Sequence, residues 1–257
     1  MKFARVLFAA VLVGAASFSL IALRASTASA SPVSSAEGID VSHWQGVVDW
    51  SKVAASGKRF VFIKASDGNV YSDSFYKWNR IGAQQAGLLA GAYHFARPSG
   101  TTPAGIVTDA RAEASRFLDL ADPQPGDLLP VLDLENNDRN LSPSELKMWA
   151  SAWLTEVGNR IGVKPLIYSG YYFFQDHMAD TTAFANAGYM LWYPRYGVST
   201  AIAPAANWGG RGWTIWQYTN EGRVLGISGN VDRNRLAASK LSSLRIPSFP
   251  AGAEPRS

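Results

Sequence analysis

The sequence predicts an α/β protein built as a single irregular, TIM-like (β/α) barrel. Three observations lead there. Short apolar runs of strand length alternate with longer helical stretches, the pattern of parallel βαβ units. Eight such runs lie between residues 38 and 232, and eight strands close a barrel of this kind. The last three have too little sequence between them for full helices, so the final strands should be joined by loops or a hairpin.

Taken in order, Gly38-Ile39-Asp40-Val41-Ser42 forms strand one and His43-Trp44-Gln45-Gly46 a loop. Val47 to Trp50 leads into a helix that Gly57 stops. Arg59 to Ala65 is strand two, with Ser66-Asp67-Gly68-Asn69 as its exit loop. Asp73 can cap a helix through about Ala86, and Gly87 terminates it. Leu88 to Phe95 is strand three, and a loop with Pro98, Gly100 and Pro103 precedes a helix from about Ile106 to Leu120. Strand four is the apolar run from Leu128 that ends in Asp133-Leu134-Glu135, with the turn-prone Asn136 to Asn140 behind it. Ser142-Pro143-Ser144-Glu145 is a capping box with proline at the first helical position, opening a helix to about Ile161. Lys164 to Ser169 is strand five, about Tyr172 to Ala187 is helical, Tyr189 to Tyr193 is strand six and Trp213 to Tyr218 strand seven. Asn230-Val231-Asp232 is a short strand eight that passes into a last helix to about Leu244. The domain plan is a secretory signal peptide over 1–30, a polar lead over 31–37, the barrel over 38–245 and a flexible tail over 246–257.

The leader rests on Lys2 and Arg5, an apolar run from Val6 to Leu23, and Ala28-Ser29-Ala30 as a small-residue cleavage site. The run is about 18 residues, so an uncleaved membrane anchor is the alternative. Lys2, Arg5 and Arg24 would leave with it, bringing a precursor of formal charge +4 close to neutrality. No basic block with interleaved aromatics is present, which argues against nucleic acid. With no cysteine there is neither a disulfide framework nor a thiolate nucleophile. The expected product is a secreted monomer without stable membrane association.

The chemistry centres on the strand-four exit. Side chains alternate along a strand, so Asp133 and Glu135 share one face. Two carboxyls at the exit of a buried strand are costly to desolvate. One that holds a proton while the other stays ionised is what glycosidic cleavage requires. Barrel sites sit at the C-terminal strand ends, where Asp40 and Asp232 also fall, on neighbouring strands one and eight. Such a cluster could hold a cation, but no His pair at ligand spacing and no EF-hand-like loop occurs, so neither metal nor cofactor is expected. His43, His94 and His177 are scattered and read as packing or hydrogen-bonding residues. Aromatics gather near the same rim: Trp44, Tyr93, Tyr171, Trp192, Tyr193, Trp216 and Tyr218, of which at least half should belong to the core. Acids and flat apolar rings at one mouth favour a glycoside hydrolase. No phosphate loop, Gly-x-Ser-x-Gly elbow or His-Glu-x-x-His competes.

Seven short motifs then resemble glycoside hydrolase family 25, the Chalaropsis-type lysozymes. They are Gly38-Ile39-Asp40-Val41-Ser42 with Gln45-Gly46 and Asp49-Trp50, Phe62-Ile63-Lys64-Ala65, Gly91-Ala92-Tyr93-His94-Phe95, Asp133-Leu134-Glu135, Leu191-Trp192, Trp216-Gln217-Tyr218 and Val231-Asp232. The resemblance covers about Gly38 to Leu236. It implies a flattened barrel and hydrolysis of the β-1,4 bond between N-acetylmuramic acid and N-acetylglucosamine in peptidoglycan glycan strands. On matching positions Glu135 resembles the proton donor, Asp133 the nucleophile or the acid that assists the substrate's N-acetyl group, and Asp40 and Asp232 further acids lining the site. Tyr93, Trp192, Gln217, Tyr218, Tyr168 and Trp44 are the expected substrate contacts. Ser66-Asp67-Gly68, where the family more often has Thr-Glu-Gly, and Tyr193-Pro194 are departures at the rim that bear on substrate preference. The sequence leaves substrate-assisted retention, a covalent route and inversion all open. A chitinase-like hydrolase is the nearest rival, disfavoured by Val131 where such enzymes carry another Asp, and a non-catalytic sugar-binding barrel is the other.

Overall fold

The computed structural model describes residues 35–237 and 241–248; the expected leader and residues 249–257 of the expected tail lie outside them. Strands β1 (Glu37–Val41), β2 (Phe60–Asp67), β4 (Leu89–Phe95), β5 (Val131–Asp133), β6 (Leu166–Tyr168), β7 (Met190–Pro194) and β8 (Ile215–Gly222) run parallel to their neighbours. The ring is shut by β9 (Val231–Leu236), antiparallel to both β8 and β1, while β1 pairs with β2. A two-residue strand, β3 (Tyr71–Ser72), hangs off β2 as a hairpin.

Helices α1 (Trp50–Ala55), α2 (Tyr76–Gln85), α3 (Pro103–Ala121) and α4 (Pro143–Ile161) cover the first half of the barrel. Shorter segments α5 (Tyr171–Met178) and α6 (Ala183–Asn186) and a left-handed turn over Pro204–Gly209 cover the second. The start of α4 is the predicted one: Ser142 accepts from Glu145 N and Glu145 reaches back to Ser142 N at 2.8 Å. Thr102 caps α3 by accepting from Gly105 N. The helix expected over 172–187 breaks at Ala179 and Asp180, which both take positive φ. The N-cap position of α2 is Phe75, and Asp73 holds the turn leading into it: its Oδ1 accepts from Phe75 N at 3.0 Å, while its Oδ2 accepts from the backbone N–H of His43, tying down the loop after β1.

Strand alternation sorts the apolar residues into two cores. Phe60, Phe62, Val131, Leu166, Trp192, Ile215 and Leu236 fill the barrel interior. Ile39, Val61, Ile63, Leu132, Ile167 and Leu191 face outward against the helices, where Trp149, Trp153 and Phe117 are fully buried. The bulky interior needs a bare backbone beside it: a Cβ on Gly91 would lie 2.6 Å from Leu128 Cβ.

Two expectations are corrected. The predicted helix after Asp232 is strand at 232–236, because the eight residues between β8 and β9 are too few for a crossover and force an antiparallel return. The helix expected to about Leu244 and the start of the tail expected over 246–257 are instead packed into the barrel, as far as Ile246. A 3₁₀ turn, Ser242–Leu244, leads to Ile246, and both Leu244 and Ile246 are buried in the interior core. Leu129 N donates to Leu244 O and Ile246 N to Asp127 O, so this segment pairs with the chain entering β5. Each such aliphatic side chain contributes about 1.5–3 kcal/mol by leaving water.

Candidate active site

A cleft of about 340 Å³ opens where the parallel strands end, and all four predicted acids line it. Asp40 projects inward from β1. Register sets it directly opposite Asp232 on β9, and such facing residues share a side of the sheet. Asp232 reaches the mouth for a reason the sequence did not show: β9 runs against the other strands, so its beginning, not its end, lies there. Asp133 is the last residue of β5. Glu135 follows after the strand has ended, and Leu134 between them is buried in the outer core with its N–H donating to Tyr168 O at 2.9 Å. The shared face of Asp133 and Glu135 thus survives beyond the strand.

A hydrogen-bonded web fixes Asp40. Asn234 Nδ2 donates to its Oδ2 at 2.7 Å and Gln217 Nε2 at 3.0 Å. Trp192 Nε1 orients Asn234 by donating to its Oδ1 at 2.8 Å, and the hydroxyls of Tyr168 and Tyr196 both donate to Gln217 Oε1. Asp133 is treated differently. It is 7% exposed, and its Oδ1 has no hydrogen-bond partner among the described residues. Glu135 is exposed to the cleft. Lys64, also lining the cleft, is held 2.8 Å from Asp67 across a bulge in β2.

Every one of the four carboxyls is pushed upward. Burial raises Asp133 well above the usual range, and the charges of Glu135 and Asp40 push further, with Lys64 opposing. Desolvation by the cleft walls and the Asp40 charge raise Glu135, again against Lys64. Burial raises Asp40, while hydrogen bonds from Asn234 and Gln217 favour its ionised form. Burial and the neighbouring Asp40 push Asp232 up to about 9. Two like charges this close do not both ionise freely, so the acids titrate together, and of them Asp232 retains its proton at neutral pH.

Linkage turns this into a prediction. Asp232 holds its proton in the folded chain up to about pH 9 but loses it near pH 4 when unfolded. Between those limits the folded state binds more protons, so this group's contribution to stability falls as pH rises. Asp232→Asn should therefore melt higher than wild type at about pH 8, and the difference should vanish at about pH 4. Thermal melts across that range check it.

Of the expected substrate contacts, Tyr93, Trp192, Gln217, Tyr168 and Trp44 line the cleft. Trp192 is only 2% exposed and serves as floor, packed against Phe62 and Tyr168. Trp44 is 81% exposed and leans on the His43 ring at 4.6 Å. Tyr218 is a correction. Alternation along β8 turns it away from Gln217, and its hydroxyl meets Glu37 on the outer face beside Arg233 and Arg235. Burial alone would raise Glu37, but hydrogen bonds from Lys58 and Arg233 bring it down to about 2.

Sequence reasoning missed Asn234 and Tyr196. Asn234 becomes visible once β9 is extended, since it shares a face with Asp232. Tyr196 lies in the loop after β7 and carries no pattern that would mark it. The histidines serve as hydrogen-bonding residues: His43 meets Asp73, and His94 is buried between Ser66 and Glu113. Among the described residues no group of three or more His, Cys, Asp or Glu side chains is placed to hold a metal ion.

Comparison with known proteins gives one consistent picture. A model of the family described as Glycosyl hydrolases family 25 matches residues 39–227. Lysozyme M1 of Streptomyces globisporus is 35% identical over 222 residues, spanning 83% of this chain and 71% of that protein. The N,O-diacetylmuramidase of Chalaropsis sp is 28% identical over 221 residues, spanning 79% of this chain and 99% of that one. Among solved structures, the bacterial lysozyme from Streptomyces coelicolor superposes with a TM-score of 0.74 at 33% identity, covering 83% of this chain and 96% of that one.

Proposed function

The chain belongs to glycosyl hydrolases family 25 and is a glycoside hydrolase, and from that premise we propose that it is a lysozyme, an N-acetylmuramidase that cuts the β-1,4 bond between N-acetylmuramic acid and N-acetylglucosamine in peptidoglycan. The observation that carries the reading is the contrast between two neighbouring acids. Glu135 faces the open cleft, and Asp133 is buried at its floor with one oxygen unpartnered.

Glu135 is the proton donor. Desolvation and the Asp40 charge push its carboxyl toward the protonated form, and its position lets it reach a glycosidic oxygen in the cleft. Asp133 Oδ1 accepts the N–H of the 2-acetamido group. That hydrogen bond, and the positive charge developing on the sugar, favour ionised Asp133 and leave the pair's proton on Glu135. The acetamido oxygen attacks the anomeric carbon as the leaving oxygen takes the Glu135 proton, and a cyclic intermediate forms. Glu135, now a carboxylate, draws a proton from water, and that water opens the intermediate with net retention. Asp40, whose ionised form is favoured by the hydrogen bonds from Asn234 and Gln217, supplies negative charge along the same wall, with protonated Asp232 beside it. Export by the N-terminal segment over 1–30 would deliver the barrel to the wall polymer.

The test is release of new reducing ends from purified peptidoglycan by residues 31–257, beside a matched digest of chitin oligomers. Release from peptidoglycan is expected. Release from chitin alone would replace this reading with the chitinase-like one.

A further inference from the structure

A second cleft of about 430 Å³ lies beside the catalytic one, lined among others by Asp67, Gly68, Arg97, Asn136 and Arg139. The two meet at the proton donor, since Glu135 lines the first and Asn136 the second. Phe95 stands between them, with Lys64 Nζ 4.5 Å from its ring centroid and the Arg97 guanidinium 4.7 Å from it. Ion pairs continue that ridge from Lys64 to Asp67, from Asp67 to Arg97 and from Arg97 to Asp138.

The acids of this second cleft are already engaged. Asp67 accepts from Lys64 and Arg97. Asp109 accepts from Trp149 Nε1, Ser99 N and Asn69 Nδ2. Glu113 is bonded to His94 and accepts from Arg97 N. Arg139 is the exception: it has no hydrogen-bond or ion-pair partner among the described residues. Its turn is nevertheless firmly built. Leu141 N donates to Asn137 Oδ1, Asn137 Nδ2 to Leu141 O, and Asn140 N to Asn137 O, each at 2.9 Å. A held backbone thus presents an uncommitted guanidinium in the cleft that adjoins the catalytic one, a group suited to carboxylates.

The geometry points to a binding site for the peptide stem carried by the muramyl sugar, with Arg139, flanked by Arg97, paired to a stem carboxylate. The inference rests on the muramidase reading above. The polymer's chemistry selects the ligand, because an N-acetylated glycan whose lactyl groups are amidated has no charge of its own. Its fixed negative charges are the carboxylates of the stems. A cleft that sets Arg97 and Arg139 beside the small apolar surface of Val70 and Pro98, in place of the aromatic floor next door, matches a peptide better than another sugar ring.

The experiment compares stem-bearing glycan chains with the same chains after amidase removal of the stems, which leaves only the short lactyl carboxylate. Wild type should show a kcat/KM lower by about three- to tenfold on stripped chains, through KM. Arg139→Ala and Arg139→Glu should lose a similar factor on stem-bearing chains, the second more than the first, and match wild type on stripped ones. Equal losses on both substrates, no loss on either, or a wild type indifferent to the stems would overturn the proposal. Failure of wild type to cleave either substrate would instead remove the muramidase reading, and this inference with it.

Discussion

Glu135→Gln should lower turnover on peptidoglycan by about 10²–10⁴-fold, the range lost when a positioned general acid is removed. Gln is nearly isosteric and can donate an N–H bond but cannot deliver a proton to a leaving oxygen. Substrate affinity should change little, because Glu135 lines an open cleft and the aromatic contacts at Trp44 and Tyr93 remain. Folding should also be intact, since Glu135 is exposed and supports no core contact. Single-turnover rates with a parallel thermal melt check this. Wild-type turnover in a folded variant would remove Glu135 from the mechanism.

Asp133→Asn is the second large effect, expected at about 10²–10³-fold in kcat, as when a preorganised group opposing developing charge is lost. Its stability should move the other way. Burial makes the Asp133 charge costly and holds its pKa well above the usual range in the fold, so the folded chain binds the extra proton and loses stability as pH rises. The neutral amide escapes that loss and should melt higher than wild type at neutral pH. An enzyme that gains stability as it loses its reaction is one whose site was built at the expense of the fold. A variant both inactive and destabilised would mean that Asp133 serves packing instead.

The same tension explains how much could be read in advance. The α4 start was legible because its capping box is local: four consecutive residues carry the whole signal. The strand-four acids were legible because an apolar run stops at two carboxyls spaced by one residue. β9 was not. In Val231-Asp232-Arg233-Asn234-Arg235-Leu236 the inner face carries site residues and the outer face arginines that pair with Glu37, so no apolar alternation survives to announce a strand. Its identity depends on pairing with β1, nearly two hundred residues away, which no window along the chain can see. Asn234 was lost with it. Ile246 was misjudged for a similar reason, since a short apolar segment among prolines looks frayed until the barrel interior it fills is known. Tyr218 failed on parity alone, one residue from Gln217 and on the other face.

The measurement closest to the central claim is the identity of the sugar at each new reducing end. Purified peptidoglycan is digested with residues 31–257, reduced with borohydride, hydrolysed and analysed by mass spectrometry. The account predicts muramitol at the new ends, absent when Glu135→Gln replaces wild type. Glucosaminitol at those ends, or muramitol formed equally by the variant, would contradict it.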